Sequence, residues 1–363
     1  MSREHTGRKT TRRHWIAGAA GLSLVAPAVL RGAGRQAEIL ETKVISHQPE
    51  YYNGLPTLAQ RSNGERLVAC SGGREAHVCP FGRVELMRSQ DEGRTWLWPR
   101  VLMDTAIDDR DAGVVETAHG SILVTTFTSL AYEPILARAE QARPGSKEAW
   151  DPDRLAQWRG AHRRTDAWAR QRMLGTWMLR SADSGVSWSA PYRVPVNSPH
   201  GPILLKDGRL LYAGVELWEP ERKVGVCTSF DDGRTWQWTA TLPVRAGDDH
   251  RNYHELHAVE TRSGRIIVHI RNHNDVNKGE TLQTESDDGG KTWTEPHSIG
   301  VWGLPSHLLR LNDGRLLMSY GYRREPFGNQ VRVSEDEGRA WSDPLTLSRD
   351  GAGGDLGYPS TVQ

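Results

Sequence analysis

One eight-residue pattern, Ser-x-Asp-x-Gly-x-x-Trp, recurs five times along this chain of 363 residues and is called the Asp box below. The copies occupy residues 89–96, 181–188, 229–236, 286–293 and 334–341. Each copy predicts a tight turn between two strands, because glycine accepts positive φ and aspartate accepts hydrogen bonds from the turn backbone. The tryptophan would then pack at the start of the next strand. Five copies in one chain indicate an array of similar β units.

A second repeat, a turn ending in glycine that leads into an apolar strand, precedes each Asp box. Its copies are Asn63-Gly64, His119-Gly120, Asp207-Gly208, Ser263-Gly264 and Asp313-Gly314. Such dipeptides between apolar runs are typical of β-hairpins. Each unit is therefore predicted to contain four antiparallel strands, which is one blade of a β-propeller.

These units predict an all-β fold, a six-bladed propeller of four-stranded blades over residues 38–363. Blade 2 carries an insertion at about 131–172, which is rich in Ala, Arg, Glu and Trp and is predicted to be helical. The sixth blade begins at Tyr358, and no Gly turn or Asp box follows it. We therefore expect this blade to be truncated in the sequence, with the chain continuing beyond Gln363.

The N-terminal residues 1–33 resemble a targeting segment. Arg12 and Arg13 precede an apolar run at 16–30, and Ala-Pro-Ala at 26–28 offers a small-residue cleavage site. This arrangement is typical of a twin-arginine (Tat) signal peptide. We expect export to the periplasm or the extracellular space, with no membrane span in the mature protein, because the apolar run is short.

Charge and cysteine content argue against several classes of function. Lys and Arg number 46 against 45 Asp and Glu, so nothing favours binding to nucleic acid. The three cysteines show no metal-ligand spacing, and the clustered His250, His254 and His257 are expected to line the propeller mouth. We therefore expect no metal and no cofactor. The oligomeric state is left open.

The register of the blades predicts which side chains meet. Inner strands of a propeller converge on one axis, so their N-terminal ends, and the C-terminal ends of the antiparallel second strands, lie at one mouth. The expected inner-strand positions are Asn53, Gly54, Arg110, Asp111, His200, Glu255, Ser306, His307 and Tyr358. The expected second-strand positions are Arg74, Glu216, Arg271, Arg323 and Arg324.

Repeated Asp boxes in a propeller resemble the sialidase (neuraminidase) superfamily, over roughly residues 38–363. Residues 255–271, which run from Glu255 through Glu260 and Gly264 to Arg271, resemble that family's fourth-blade motif. The resemblance implies that Glu255 partners a nucleophile and that Arg271 belongs to a triad of carboxylate-binding arginines. It also implies that Tyr358, in Gly-Tyr-Pro-Ser, is the nucleophile, and that Arg323 or Arg324 is a second arginine of the triad.

The implied substrate is a glycan or glycoconjugate that ends in a sialic-acid-like sugar. Its anomeric carbon carries a carboxylate, which arginines bind through paired, charge-assisted hydrogen bonds. A neutral tyrosine avoids the repulsion that a carboxylate nucleophile would meet, and Glu255 would take its proton. The expected activity is that of an exo-glycosidase that retains configuration.

Two family features are missing from this sequence. The family's first arginine is absent at 52–56, and we expect Arg74 to replace it in a clamp with Arg271 and Arg323 or Arg324. The family's acid/base aspartate is absent at 73–80, so the proton donor is expected to be His77 or Glu75. Rival donors are Asp109 and Asp111, and the further substrate-binding candidates are Arg110 and His200.

Two other kinds of function remain open from the sequence. One is a propeller glycosidase or lyase that acts on a different acidic sugar and uses His77 or His200. The other is a non-catalytic glycan-binding propeller. Glu255, Arg271 and Tyr358 together favour the sialidase-type activity, whereas the missing aspartate favours the alternatives.

Overall fold

The computed structural model describes residues 38–46, 48 and 50–363, so the predicted signal segment 1–33 lies outside the described residues. Twenty strands form five antiparallel four-stranded sheets, each built from strands consecutive in sequence. Blade 1 contains β1 Tyr52–Gln60, β2 Arg66–Arg74, β3 Arg83–Ser89 and β4 Arg100–Met103. Blade 2 contains β5 Asp108–Glu116, β6 Ile122–Ser129, β7 Thr176–Ser181 and β8 Tyr192–Arg193.

The remaining three sheets repeat this order. Blade 3 contains β9 Ile203–Leu204, β10 Leu210–Val215, β11 Val224–Ser229 and β12 Gln237–Thr241. Blade 4 contains β13 Tyr253–Glu260, β14 Ile266–Asn272, β15 Glu280–Ser286 and β16 His297–Trp302, preceded by a 3-10 turn at His250–Asn252. Blade 5 contains β17 Ser306–Arg310, β18 Leu316–Tyr322, β19 Gly328–Ser334 and β20 Leu345–Ser348. The all-β propeller of four-stranded blades is confirmed, with five such blades in the described residues.

The Asp boxes form the predicted turns. In the first box, the Ser89 hydroxyl donates to Asp91 and accepts from the Gly93 amide, and Asp91 also accepts from the amide of Thr95. The same serine–aspartate and glycine–serine bonds recur in the other four boxes. Gly93 has a φ of 85°, a conformation that favours glycine at this position.

The hydrophobic core lies between neighbouring blades. One cluster joins blades 1 and 2, a second joins blades 2 and 3, a third joins blades 3 and 4, and a fourth joins blades 4 and 5. The sheets of blades 2, 3 and 4 therefore bury both faces, which accounts for the continuous apolar runs in their second strands. This packing fixes the inner strands around a common axis.

The insertion between β6 and β7 contains three helices. They are α1 Glu133–Gln141, α2 Pro152–His162 and α3 Ala167–Met173. Their buried side chains, including Tyr132 and Trp158, pack against Cys79 of blade 1 and Ile107 at the start of blade 2. In the described part of the chain, no helix is long and apolar enough to cross a membrane.

The last six residues run between blade 1 and blade 5. The Ser360 hydroxyl bonds both the amide and the carbonyl of Leu58 in β1, and Thr361 lies 3.2 Å from His307 in β17. This is the place where the inner strand of a sixth blade would lie. The sixth blade itself stays a prediction.

Three buried histidines from blades 3, 4 and 5 meet near the axis. The ring centres of His200, His257 and His307 are 4.4–5.3 Å apart, and each ring is at most 7% exposed. Thr57 lies 3.4 Å from His200 Nδ1. Burial lowers the pKa of His200 to about 3 and holds the pKa of the other two well below the usual value.

We expect these neutral histidines to make the fold sensitive to acid. A folded-state pKa near 3 means that only the unfolded chain binds the His200 proton as the pH falls below about 6.5. Stability should therefore decline below that pH, by about 2 kcal/mol at pH 5 from His200 alone. Urea unfolding at pH 7.5 and pH 5 measures the change.

The matched variants are His200→Gln and His119→Gln, the latter at an exposed loop position. His200→Gln should reduce the change in the free energy of unfolding between pH 7.5 and pH 5, even if the variant is less stable at pH 7.5. His119→Gln should leave that change as it is in the wild type. An unchanged slope in His200→Gln would show that His200 is not the source.

Candidate active site

Besides Leu55 of blade 1, which has a φ of 58°, three inner-strand ends carry a non-glycine residue with positive φ. These are Asp111 at 47°, Glu255 at 34° and Tyr358 at 80°. In blades 2 and 4 the strand pairing shifts at this point, between Arg110 and Gly113 and between His254 and Leu256. Such left-handed residues cost about 1–3 kcal/mol each and cluster at functional sites. All three line the same pocket.

The pocket has a volume of about 400 Å³ and lies at the propeller mouth. Blades 1, 2, 4 and 5 contribute to it, together with the segment before the last six residues. Its lining residues are His77, Arg110, Asp111, Phe127, His254, Glu255, Arg271, His273, Arg323, Gly354, Asp355 and Tyr358. The register prediction of one shared mouth therefore agrees with the structure for blades 2, 4 and 5 and for Tyr358.

Tyr358, Glu255 and Arg271 form a hydrogen-bonded group. The Tyr358 hydroxyl donates to Glu255 Oε1 at 2.6 Å, Arg271 donates to Glu255 Oε2, and Arg271 Nη1 lies 3.4 Å from the Tyr358 oxygen. Burial and then the Glu255 charge hold the pKa of Tyr358 well above its usual value. Burial opposes ionisation of Glu255, but Arg271 and the Tyr358 hydrogen bond outweigh it, so the pKa of Glu255 is lowered. A neutral tyrosine thus faces a carboxylate able to accept its proton.

Three arginines, Arg110, Arg271 and Arg323, line the pocket. The Arg323 guanidinium lies 5.6 Å from the centre of the Tyr358 ring. The Nε atoms of Arg110 and Arg323 are buried and make no hydrogen bond among the described residues. Buried donors without hydrogen-bond partners are costly, so acceptor atoms of water or of a ligand are favoured here, although Arg110 Nε also lies 3.9 Å from Asp108 Oδ2.

Arg74 is not the third arginine, contrary to the expectation from the sequence. Its side chain is fully buried, lies 3.0 Å from the Asp108 carboxylate and donates to Ser71 Oγ. It also donates to the carbonyls of Ala76 and His77. Arg74 therefore supports the loop that carries His77. The third arginine that lines the pocket is Arg110, which had been expected only as a further substrate-binding candidate.

Glu75 and Asp109 do not reach the pocket either. Glu75 accepts from Trp158 Nε1 at 2.6 Å and pairs with Arg154, so it ties helix α2 to blade 1. Asp109 is fully buried and accepts from the amide and hydroxyl of Thr105, and burial raises its pKa to about 8. Neither carboxyl is placed to donate a proton to a ligand.

His200 and Arg324 also lie apart from the pocket lining. His200 belongs to the buried histidine group on the axis, and Arg324 stacks on Trp302 with its guanidinium 3.8 Å from the ring centre. Of the two arginines at the end of β18, only Arg323 lines the pocket. Both arginines follow β18, which ends at Tyr322, and the chain bends from Arg324 onward, so the two side chains separate.

Asp111 and His77 are the two proton-donor candidates that line the pocket. Asp111 is 6% exposed, and its Oδ1 makes no hydrogen bond among the residues described. Burial raises the pKa of Asp111 to about 6, opposed by Arg110 and aided by Glu255. His77 lies 2.9 Å from Arg110 through Nε2 and 3.1 Å from Asp355 through Nδ1, and burial lowers its pKa.

The sequence reasoning missed four lining residues: Phe127, His273, Gly354 and Asp355. His273 Nε2 accepts from Arg271 Nε at 2.8 Å, and His254 stacks beside His273 with ring centres 4.6 Å apart. His254 had been expected at the mouth as part of a cluster, without a role. Asp355 could have been found from the sequence, because it is the one charged residue in the glycine-rich stretch 351–357 that precedes Tyr358.

Comparison with known proteins identifies a family and a fold for this chain. The BNR repeat-like domain family matches residues 149–363. A sialidase of Micromonospora viridifaciens is 29% identical over 132 residues, which is 34% of this chain and 20% of that protein. The chain thus matches only about a fifth of that relative's length.

Solved structures show the same fold. A protein of unknown function from Dyadobacter fermentans aligns with a TM-score of 0.69 at 24% identity, over 88% of this chain and 89% of its own. A Hadza microbial sialidase aligns with a TM-score of 0.61 at 20% identity, over 85% of this chain and 60% of its own. A sialidase from Streptococcus pneumoniae gives 0.59 at 15% identity, over 84% and 63%. The chain belongs to the BNR repeat-like domain family and shares its propeller fold with sialidases.

Proposed function

We propose that the protein is an exo-glycosidase of the sialidase type, which releases terminal sialic-acid-like sugars with retention of configuration. The observation that carries this proposal is the 2.6 Å hydrogen bond from Tyr358 to Glu255 in a pocket lined by three arginines. A neutral nucleophile beside a base suits a substrate that is itself an anion. The sialidase relative supports the same activity.

In this mechanism the arginines bind the sugar carboxylate and the reaction follows in two steps. Tyr358 Oη attacks the anomeric carbon while Glu255 takes its proton, and the bond to the leaving oxygen breaks as an acid protonates that oxygen. Water then attacks the same carbon and gives a proton to the conjugate base of the acid. The bond from that carbon to Tyr358 Oη breaks, and Glu255 returns its proton to the tyrosine oxygen. Two displacements at one carbon retain its configuration.

Asp111 fits the role of the acid better than His77 does. Arg110 can only donate, so His77 Nε2 must accept, and a neutral ring then carries its proton on Nδ1, toward Asp355. A lowered pKa keeps that ring neutral near pH 7, which suits it to orient Arg110. Asp111, with a pKa raised to about 6, is partly protonated in mild acid and has a free oxygen.

The direct test is release of sialic acid from a fluorogenic aryl sialoside, with NMR following the anomer formed first. Release of the α anomer supports the proposal. An unsaturated product would indicate a lyase, and binding without turnover would indicate a glycan-binding propeller. Either of those results would replace the proposed activity.

Asp111→Asn tests the acid. With a glycan leaving group, kcat should fall by about 10²–10⁴, and the decline of wild-type activity above pH 6 should disappear. With an aryl leaving group, which departs without protonation, the loss should be much smaller. His77→Gln is the comparison, and it should weaken binding equally for both substrates. Equal losses on both substrates in Asp111→Asn would assign the acid elsewhere.

We also propose that residues 1–33 direct export by the Tat route, so that the enzyme meets its substrate outside the cytoplasm. The support is the arginine pair with the apolar run that follows it. A catalytic propeller of six blades remains part of this proposal, with residues 358–363 as the first strand of the sixth.

A further inference from the structure

A second cavity, which the mechanism above does not use, lies where blades 2 and 3 meet. Its volume is about 630 Å³. The start of β7, the end of β8 and the loop 216–223 between β10 and β11 form its walls. We refer to this cavity as the blade 2–3 groove.

The blade 2–3 groove adjoins the candidate active site. Phe127 of β6 lines the active-site pocket, and its strand partner Thr176 of β7 lines the groove. Trp218, in the groove wall, lies 6.4 Å from Phe127 between ring centres and is 42% exposed. The Arg110 guanidinium also lies 5.8 Å from the centre of the Phe127 ring. An aromatic wall thus connects the arginine site with the groove.

The charges of the groove differ from those of the arginine site. Three glutamates, Glu216, Glu219 and Glu221, face two cations, Arg193 and Lys223, so the lining has a formal charge of −1. Lys223 is paired with Glu221 at 2.9 Å, and Arg193 stacks on Trp177. The Glu216 carboxylate accepts no hydrogen bond in the part of the chain that the structure describes, and its charge interacts with that of Lys223. This lining disfavours a second anionic sugar and offers acceptors to hydroxyl groups.

We propose that the blade 2–3 groove binds the neutral sugar units on the leaving-group side of the substrate, with Trp218 stacked on a pyranose ring. This inference rests on the proposed function, because a leaving-group site requires a scissile bond in the arginine pocket. Trp supplies a large, rigid apolar face at small entropic cost, and the free glutamate can accept hydroxyl protons. The enzyme would then prefer sialylated oligosaccharides to sialosides with a small leaving group.

The test compares two substrates in the wild type, Trp218→Ala and Trp218→Phe. One substrate is a sialylated lactose, and the other is methyl α-sialoside, whose leaving group has no ring to stack. Trp218→Ala should lower kcat/KM for the trisaccharide about tenfold, the loss of one stacked ring. It should leave the methyl sialoside unchanged, and Trp218→Phe should retain most of the trisaccharide rate. Trp98→Ala, at an 80% exposed tryptophan beside the first Asp box, is the matched control.

Equal effects of Trp218→Ala on the two substrates, or none on either, would overturn the proposal. Saturation-transfer NMR with free lactose gives a readout that is independent of turnover. If the wild type hydrolyses neither substrate, the proposed function fails, and the lactose signal alone decides on the groove. A signal lost in Trp218→Ala then supports a neutral-sugar site, and no signal in the wild type rejects it.

Discussion

Tyr358→Phe is expected to lower kcat for a fluorogenic sialoside by at least about 10³-fold, because the variant lacks the attacking oxygen. Binding of a substrate-like inhibitor should change little, since the three arginines and the phenyl ring remain. Loss of the hydroxyl also leaves Glu255 paired with Arg271 alone, and that ion pair keeps the carboxylate charged. Single-turnover kinetics and inhibitor titration measure the two effects separately.

A covalent label identifies the nucleophile independently. A 3-fluoro sialoside that traps the intermediate should modify Tyr358, as mapped by mass spectrometry of peptides. Tyr322→Phe is the matched control, because that ring packs on Trp302 and its hydroxyl makes no hydrogen bond among the described residues. Label on a different residue, or wild-type turnover in Tyr358→Phe, would eliminate this mechanism.

Arg110 and Arg74 are expected to fail in different ways when replaced. Arg110→Lys keeps the charge but loses the planar fork, so affinity for a sialic-acid ligand should fall by tens- to several-hundred-fold, about 2–4 kcal/mol. Its melting temperature should stay close to that of the wild type. Arg74→Met should instead leave the buried Asp108 with only the 3.9 Å ion pair to Arg110 and lower the free energy of unfolding by about 3 kcal/mol.

Ligand titration and thermal melting of both variants distinguish the two roles. If Arg74→Met lost affinity for the ligand while its melting temperature stayed unchanged, Arg74 would have to be one of the arginines that bind the sugar carboxylate. The double variant Arg74→Met with Asp108→Asn should recover part of the stability, because no buried charge remains unpaired. Failure to recover would mean that the carbonyl bonds of Arg74 dominate its contribution.

The blade repeat could be read directly from the chain because its determinants are local. Each Asp box closes on itself through bonds between residues two to four positions apart, and each Gly turn depends on one residue with positive φ. The helical insertion was predictable for the same reason, since its composition lacks strand alternation. Repetition of such local units leaves a propeller as the arrangement that buries both faces of each sheet.

Part of the candidate site was equally accessible from sequence. Glu255, Arg271, Arg323 and Tyr358 occupy equivalent ends of strands, and equivalent ends meet at one mouth. Strand counting places a residue at an end, but it does not say on which side of the sheet its side chain lies. Arg323 and Arg324 illustrate this, because both directly follow β18 and only Arg323 lines the pocket.

The choice between Arg74 and Arg110 depended on packing between blades. Arg74 is the last residue of β2, as expected, but its side chain donates a hydrogen bond to Asp108 of the next blade, 34 positions away in the sequence. The pairing shift after Arg110 directs Asp111 to the pocket instead of Asp109, although the two differ by only two positions. Glu75 likewise accepts a hydrogen bond from Trp158 of the insertion, which keeps its carboxylate away from the pocket. These outcomes follow from burial and charge pairing between segments that are distant in sequence. Such contacts form only when the blades pack together, so the sequence of one blade does not reveal them.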